Sequence, residues 1–149
     1  MFDIRHRVGI SAPTDRVYEL VATRSGLAEF WATQVEGDAA VGGKLAFYFN
    51  GPKPSAVMEV VELSPSHRVQ WRCVDGPAEW VATTVRFDFT ATDAETVLLF
   101  THAGWREPVE FMHHCSTKWA VFLISLKALI ESGRGTPWPN ELKIDSWEE

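Results

Sequence analysis

EFMHHCSTKWAVFLISLKALIESG, residues 110–133, is the stretch that decides the fold. Phe111, Cys115, Trp119, Phe122, Leu126 and Leu129 recur every three or four residues and trace one face of a helix. Val121, Ile124 and Ala128 widen the apolar arc, which predicts a helix covered on more than one side. Gly133 offers the left-handed residue that ends it. The start falls between Glu107 and Ser116. A long helix with so broad an apolar arc needs a large partner surface.

The residues before it supply that surface. Ile4, His6, Val8 and Ile10 alternate with Arg5 and Arg7, a period of two that predicts a strand. In SAPTDRVYELVAT, Ser11 reads as an N-cap, Pro13 as a first-turn residue and Asp15 as a dipole partner. A second short helix over 25–31 is expected, capped by Ser25. From Gly37 to Gly104 the pattern is antiparallel sheet, with strands over 44–50, 56–64, 67–75, 80–92 and 96–105. Leu45, Phe47 and Phe49 share a face, as do Val69, Trp71 and Cys73, then Val85, Phe87 and Phe89, then Leu98, Phe100 and His102. Helices segregated against an antiparallel sheet give an α+β domain over residues 1–135. The segment 136–149 reads as a tail whose Trp138 and Trp147 dock on the body or on a second subunit.

Composition narrows the function classes. The 149 residues suit one domain and carry 7 Trp, 9 Phe and 2 Tyr, enough rings to fill a core or line a cavity. Net charge is −6 and no basic run exists, which argues against nucleic-acid binding. Two cysteines, Cys73 and Cys115, do not make a disulfide framework. No signal peptide or membrane-spanning run is evident, so a cytoplasmic protein with reduced thiols is expected, without membrane insertion.

The His-His-Cys string invites three chemistries. A metal site needs converging ligands, but adjacent His113 and His114 diverge by about 100° on a helix. Only Glu110 and His114 form an i,i+4 pair with ligand chemistry, so no metal is expected. A Cys115 nucleophile with His102 as base lacks any surrounding signature, and a cysteine on an apolar face usually acts as a small hydrophobe. Acid–base catalysis would use His102 with His114 or Glu79, against structural readings of His102 at a strand end and Glu79 as a solvated turn residue. The preferred reading is an apolar pocket. Phe47, Phe49, Trp71, Phe87, Phe100, Trp119 and Phe122 point inward, and Trp31 and Trp80 close the ends. Phe111 and Cys115 extend the helix wall, and His102 and His114 orient a ligand.

ISAPTDRVYELVA, GLAEFW, EGDAAVGGKLAFYF, VMEVVELSPSHRVQWRC, THAGW and KWAVFLISLKALIESG, in that order, resemble the helix-grip superfamily of START domains and pathogenesis-related plant proteins. The closest resemblance is to its bacterial branch related to the heat-shock protein 90 ATPase activator, over residues 4–135. It implies a curved sheet of six or seven strands wrapped around the C-terminal helix, with two short helices after the first strand. It also implies a cavity for a hydrophobic or aromatic small molecule, in a carrier or sensor with no cofactor. Cyclase- or hydratase-type enzymes and chaperone-ATPase stimulation are the other activities it brings, and a homodimer is possible. Lys118 departs from the family pattern, which often has Gly before the helix Trp, and predicts an earlier start that takes in His113, His114 and Cys115.

Overall fold

The computed structural model describes residues 1–147. The end of the expected tail, residues 148 and 149, lies outside them. Strand β1 (Phe2–Ile10) is followed by helices α1 (Thr14–Ala22) and α2 (Arg24–Phe30). Six strands follow: β2 (Gln34–Gly37), β3 (Lys44–Tyr48), β4 (Ala56–Ser64), β5 (Arg68–Asp75), β6 (Thr84–Ala91) and β7 (Thr96–Trp105). Helix α3 (Glu110–Ser132) closes the domain. The sheet order is β1-β7-β6-β5-β4-β3-β2, antiparallel throughout. Strands β2 to β7 thus form a meander, and β1 adds to its far edge beside β7.

The α+β architecture expected from the patterning is present, and so is the helix-grip arrangement that the resemblance implies, with seven strands and a long C-terminal helix. Its concave face carries the alternating rows. Leu45, Met58, Trp71, Val85, Phe100 and Ile4 are all at most 3% exposed. On the outer face Arg68 and Arg86 both donate to the Asp88 carboxylate, at 2.6 and 2.8 Å. Register is set by this division, because a one-residue slip would turn the apolar rows to water. Strand β4 is bulged between Val57 and Met58 and between Val60 and Glu62, which bends the sheet around α3.

α3 packs on β1 and α2. The His6 ring meets the Ser116 carbonyl at 3.0 Å, and Lys127 donates to the Gly9 carbonyl. Gly133 takes φ +83° and donates to the Leu129 carbonyl at 3.0 Å, closing the helix. Gly26 lets α2 lie close to α1: an added Cβ would stand 2.1 Å from the Leu20 carbonyl oxygen.

Several local readings are corrected. Pro13, not Ser11, occupies the N-cap of α1, and the Ser11 amide donates instead to Glu131. Thr23, not Ser25, caps α2, its hydroxyl accepting from the Gly26 amide. The strand expected from residue 80 begins at Thr84. Residues 80–83 instead form a turn in which Ala82 has φ +73° and the Ala82 amide donates to the Cys73 carbonyl. The short strand β2, polar and only four residues long, carries no apolar alternation that would mark it in the sequence. Ile124 is 55% exposed, so the second covered flank of α3 is not the Ile124 side. That flank holds His114, Lys118 and Ser125, three polar residues buried beneath the tail.

Candidate functional site

The concave face is not filled evenly. A cleft of about 370 Å³ opens at the N-terminal half of α3. The β3–β4 connection, residues 50–55, forms one lip and Pro77 and Trp80 form another. Helix α3 supplies the opposite wall through Phe111, His114, Cys115, Lys118, Trp119 and Phe122. Trp31, at the end of α2, and Phe49, just past β3, line the floor.

The thirteen sequence-derived candidates therefore separate into two layers. Trp31, Phe49, Trp80, Phe111, His114, Cys115, Trp119 and Phe122 reach the cleft. Phe47, Trp71, Phe87, Phe100 and His102 do not line it and stand behind that layer. Trp31 is stacked on Trp71 at 5.8 Å with 7° between planes, and packs on Phe47 at 4.3 Å. Trp119 packs on Phe100 at 4.6 Å and stacks on Trp80 at 5.8 Å. Offset and tilted ring pairs of this kind add about 0.5–1.5 kcal/mol each beyond buried area. The rear rings hold the front ones in place.

His102 has a defined role in that rear layer. The Trp119 Nε1–H donates to His102 Nδ1 at 3.1 Å. An indole nitrogen can only donate, so Nδ1 is the acceptor and the proton sits on Nε2. Nε2–H then meets the Thr83 hydroxyl at 2.8 Å, and that hydroxyl donates to the Trp80 carbonyl at 2.5 Å. The chain Trp119–His102–Thr83–Trp80 ties both walls of the cleft together. The imidazole has no exposed surface, and burial pushes its pKa down to about 3. Both ring nitrogens are committed, which leaves no atom of His102 for a ligand.

Glu79, the carboxyl considered as a catalytic partner, lies in a separate depression with Trp105, Arg106 and Glu107. His113 is exposed while His114 is buried and lines the cleft, as the divergence of neighbouring helical residues requires. Among the described residues no group of three or more His, Cys, Asp or Glu is placed to hold a metal ion. Cys73 and Cys115 are both buried, and burial raises the Cys73 pKa to about 11, so that thiol is no nucleophile at neutral pH.

The tail completes the site, and the sequence patterning did not reveal how. Its Trp138 amide donates to the Trp31 carbonyl at 2.8 Å, and the Thr33 amide donates to the Trp138 carbonyl at 3.3 Å. Glu141, whose side chain is fully buried, accepts from Lys118 and, at 2.8 Å, from Lys143. Burial pushes the Glu141 carboxyl up, but the two lysines outweigh it and hold it below its ordinary value. Asp145 meets His114 Nδ1 at 2.8 Å, and Trp147 packs on Phe111 and His114 at 5.5 and 5.4 Å. Lys118 and His114 thus face the cleft on one side and the tail on the other. The i,i+4 spacing of His114 and Lys118, on the same side of α3, is the signal the sequence offers.

Residues 11–131 match the family model described as Activator of Hsp90 ATPase homolog 1-like protein. The chain belongs to that family. A solved relative is the Aha1 dimer from Colwellia psychrerythraea, 37% identical over 91% of this chain and 100% of that one, with a TM-score of 0.82. CalU16 from Micromonospora echinospora is 20% identical, covers 92% of this chain and 70% of its own length, and has a TM-score of 0.76. CV1439 from Chromobacterium violaceum is 23% identical over 87% and 96% of the two chains, with a TM-score of 0.71. These last two share the fold. No curated protein matches the chain. No helix among the described residues is long and apolar enough to cross a membrane.

Proposed function

We propose that this member of the family binds a hydrophobic or aromatic small molecule in the cleft between the sheet and α3, as a carrier or sensor. The observation that supports it is the wall itself: Trp31, Phe49, Trp80, Trp119 and Phe122 present rings to a space of about 370 Å³. That volume lies within the usual range of small-molecule sites, which combine apolar walls with a few polar groups. Burying ring surface there contributes about 25 cal/mol per Å², offset by ordering and lost translational freedom. The enzyme reading loses support because His102 is sealed and Glu79 opens elsewhere.

Titrating a panel of bicyclic and tricyclic aromatics against intrinsic Trp emission tests the reading. A saturable change is expected, since three of the chain's Trp residues line the cleft. Phe111→Ala, a half-buried rim position, is expected to weaken binding about tenfold while leaving circular dichroism unchanged. Absence of a saturable response from every compound would remove the reading.

A second reading follows from family membership: stimulation of a chaperone ATPase through a protein surface. It predicts faster turnover of an Hsp90-type ATPase when the chain is added, independent of Phe111. The Colwellia relative is a dimer, and self-association of this chain is proposed on the same ground, to be read by light scattering.

A further inference from the structure

The charges lining the cleft are of one sign. Lys53 and Lys118 face it beside the His114 imidazole, and among the described residues no Asp or Glu does. This bias runs against the whole chain, which has 20 acidic residues to 14 basic and a net charge of −6. His114 and Lys118 are engaged by Asp145 and Glu141 from the tail side. Lys53 is different: it is exposed at the lip and makes no hydrogen bond or ion pair with any described residue. Asn50 and Ser55 stand on the same lip, so polar groups gather at the mouth above an aromatic floor.

Resting on the ligand-binding reading, we propose that the cleft selects an amphipathic anion, with its ring system among Trp31, Trp119 and Phe122 and its acidic group meeting Lys53. The acidic group is a carboxylate, sulfonate or similar oxyanion. An ammonium attracts a nearby oxyanion more strongly beside the low-dielectric protein surface than in bulk water. The lysine stem is flexible enough to bring its ammonium to an anion held at the lip. The aromatic floor gives affinity to any flat apolar body, and the lip supplies the discrimination between acid and neutral analogue.

The test uses two fluorescent probes that share a phenylaminonaphthalene body. One, 8-anilinonaphthalene-1-sulfonate, carries a sulfonate; the other, N-phenyl-1-naphthylamine, is neutral. Each is titrated into the wild type, Lys53→Glu and Lys44→Glu. Lys44 begins β3 at the end away from the lip and controls for the change in net charge. The wild type is expected to bind the sulfonate at least tenfold more tightly than the neutral probe. Lys53→Glu should erase that preference and leave neutral-probe affinity within twofold, whereas Lys44→Glu should preserve it. Added salt should weaken only the sulfonate. A neutral probe that binds as tightly as the sulfonate, or a preference unmoved by Lys53→Glu, overturns the proposal while the cleft reading survives. Failure of both probes to bind overturns both.

Discussion

Replacing His102 with Gln should flatten the acid limb of the stability profile. In the unfolded chain the imidazole titrates near 6.5, and in the folded chain burial holds it near 3. Between those values the unfolded state carries one more proton, so stability falls as pH falls, by about 1.4 kcal/mol per pH unit. Integrated from pH 7.5 to 4.5, the loss attributable to His102 is about 2–3 kcal/mol. Asp3, Glu141 and Asp145, whose carboxyls are held below their ordinary values, also lose stability with acid. They do so in both proteins, so the difference between wild type and variant isolates the histidine. Glutamine can accept from Trp119 and donate to Thr83 without titrating, at a misfit cost of about 1–3 kcal/mol. Urea unfolding at pH 7.5, 6.5, 5.5 and 4.5 measures the effect. The advantage of the wild type over the variant should fall by about 2–3 kcal/mol between pH 7.5 and pH 4.5, changing sign where the misfit cost is smaller than that. Parallel profiles would refute the sealed, neutral imidazole and with it the bridge that fixes Trp119 and Trp80.

Two further perturbations address the tail and the helical pair. Lys118→Met should cost about 3 kcal/mol in urea unfolding, because it leaves the buried Glu141 carboxylate short of a partner, and Lys118→Met with Glu141→Leu should recover part of that loss. A single variant no less stable than the wild type would mean that the pair does not secure the tail. Gly26→Ala should cost at least about 2 kcal/mol, since its Cβ would meet the Leu20 backbone oxygen and force α1 and α2 apart. An unchanged denaturation midpoint would show that the helices are not so tightly apposed.

The cleft shows how far sequence patterning reaches. Alternation put Phe87, Phe100 and His102 on the inward face, and they are inward. Alternation reports which face a side chain takes, not how far it lies from a void. Trp31 and Trp119 fill the space in front of Trp71 and Phe100, so the rear residues became scaffold while Phe49, Trp80 and Phe122 kept the opening. His102 was legible as a buried polar residue, but its partners Thr83 and Trp119 are 19 and 17 positions away in sequence. Local period carries no information about such pairs. The helix caps are not legible for a nearer reason: Ser11 and Pro13, or Thr23 and Ser25, compete within two residues, and the winner depends on where the preceding segment delivers the chain.

What the amino-acid order determined alone is the α+β plan: an apolar stripe of period 3.6 over 110–133, alternating rows before it, and glycines where the chain must turn. These are consequences of backbone geometry, which every segment obeys locally. The tertiary structure decided the rest. Only packing shows that Lys118 and His114 are covered by Glu141 and Asp145, that Lys53 stands on the lip of an aromatic cleft, and that His102 lies behind it. Burial and charge pairing depend on distances between residues far apart in the chain, and those distances exist only once the sheet has closed around the helix.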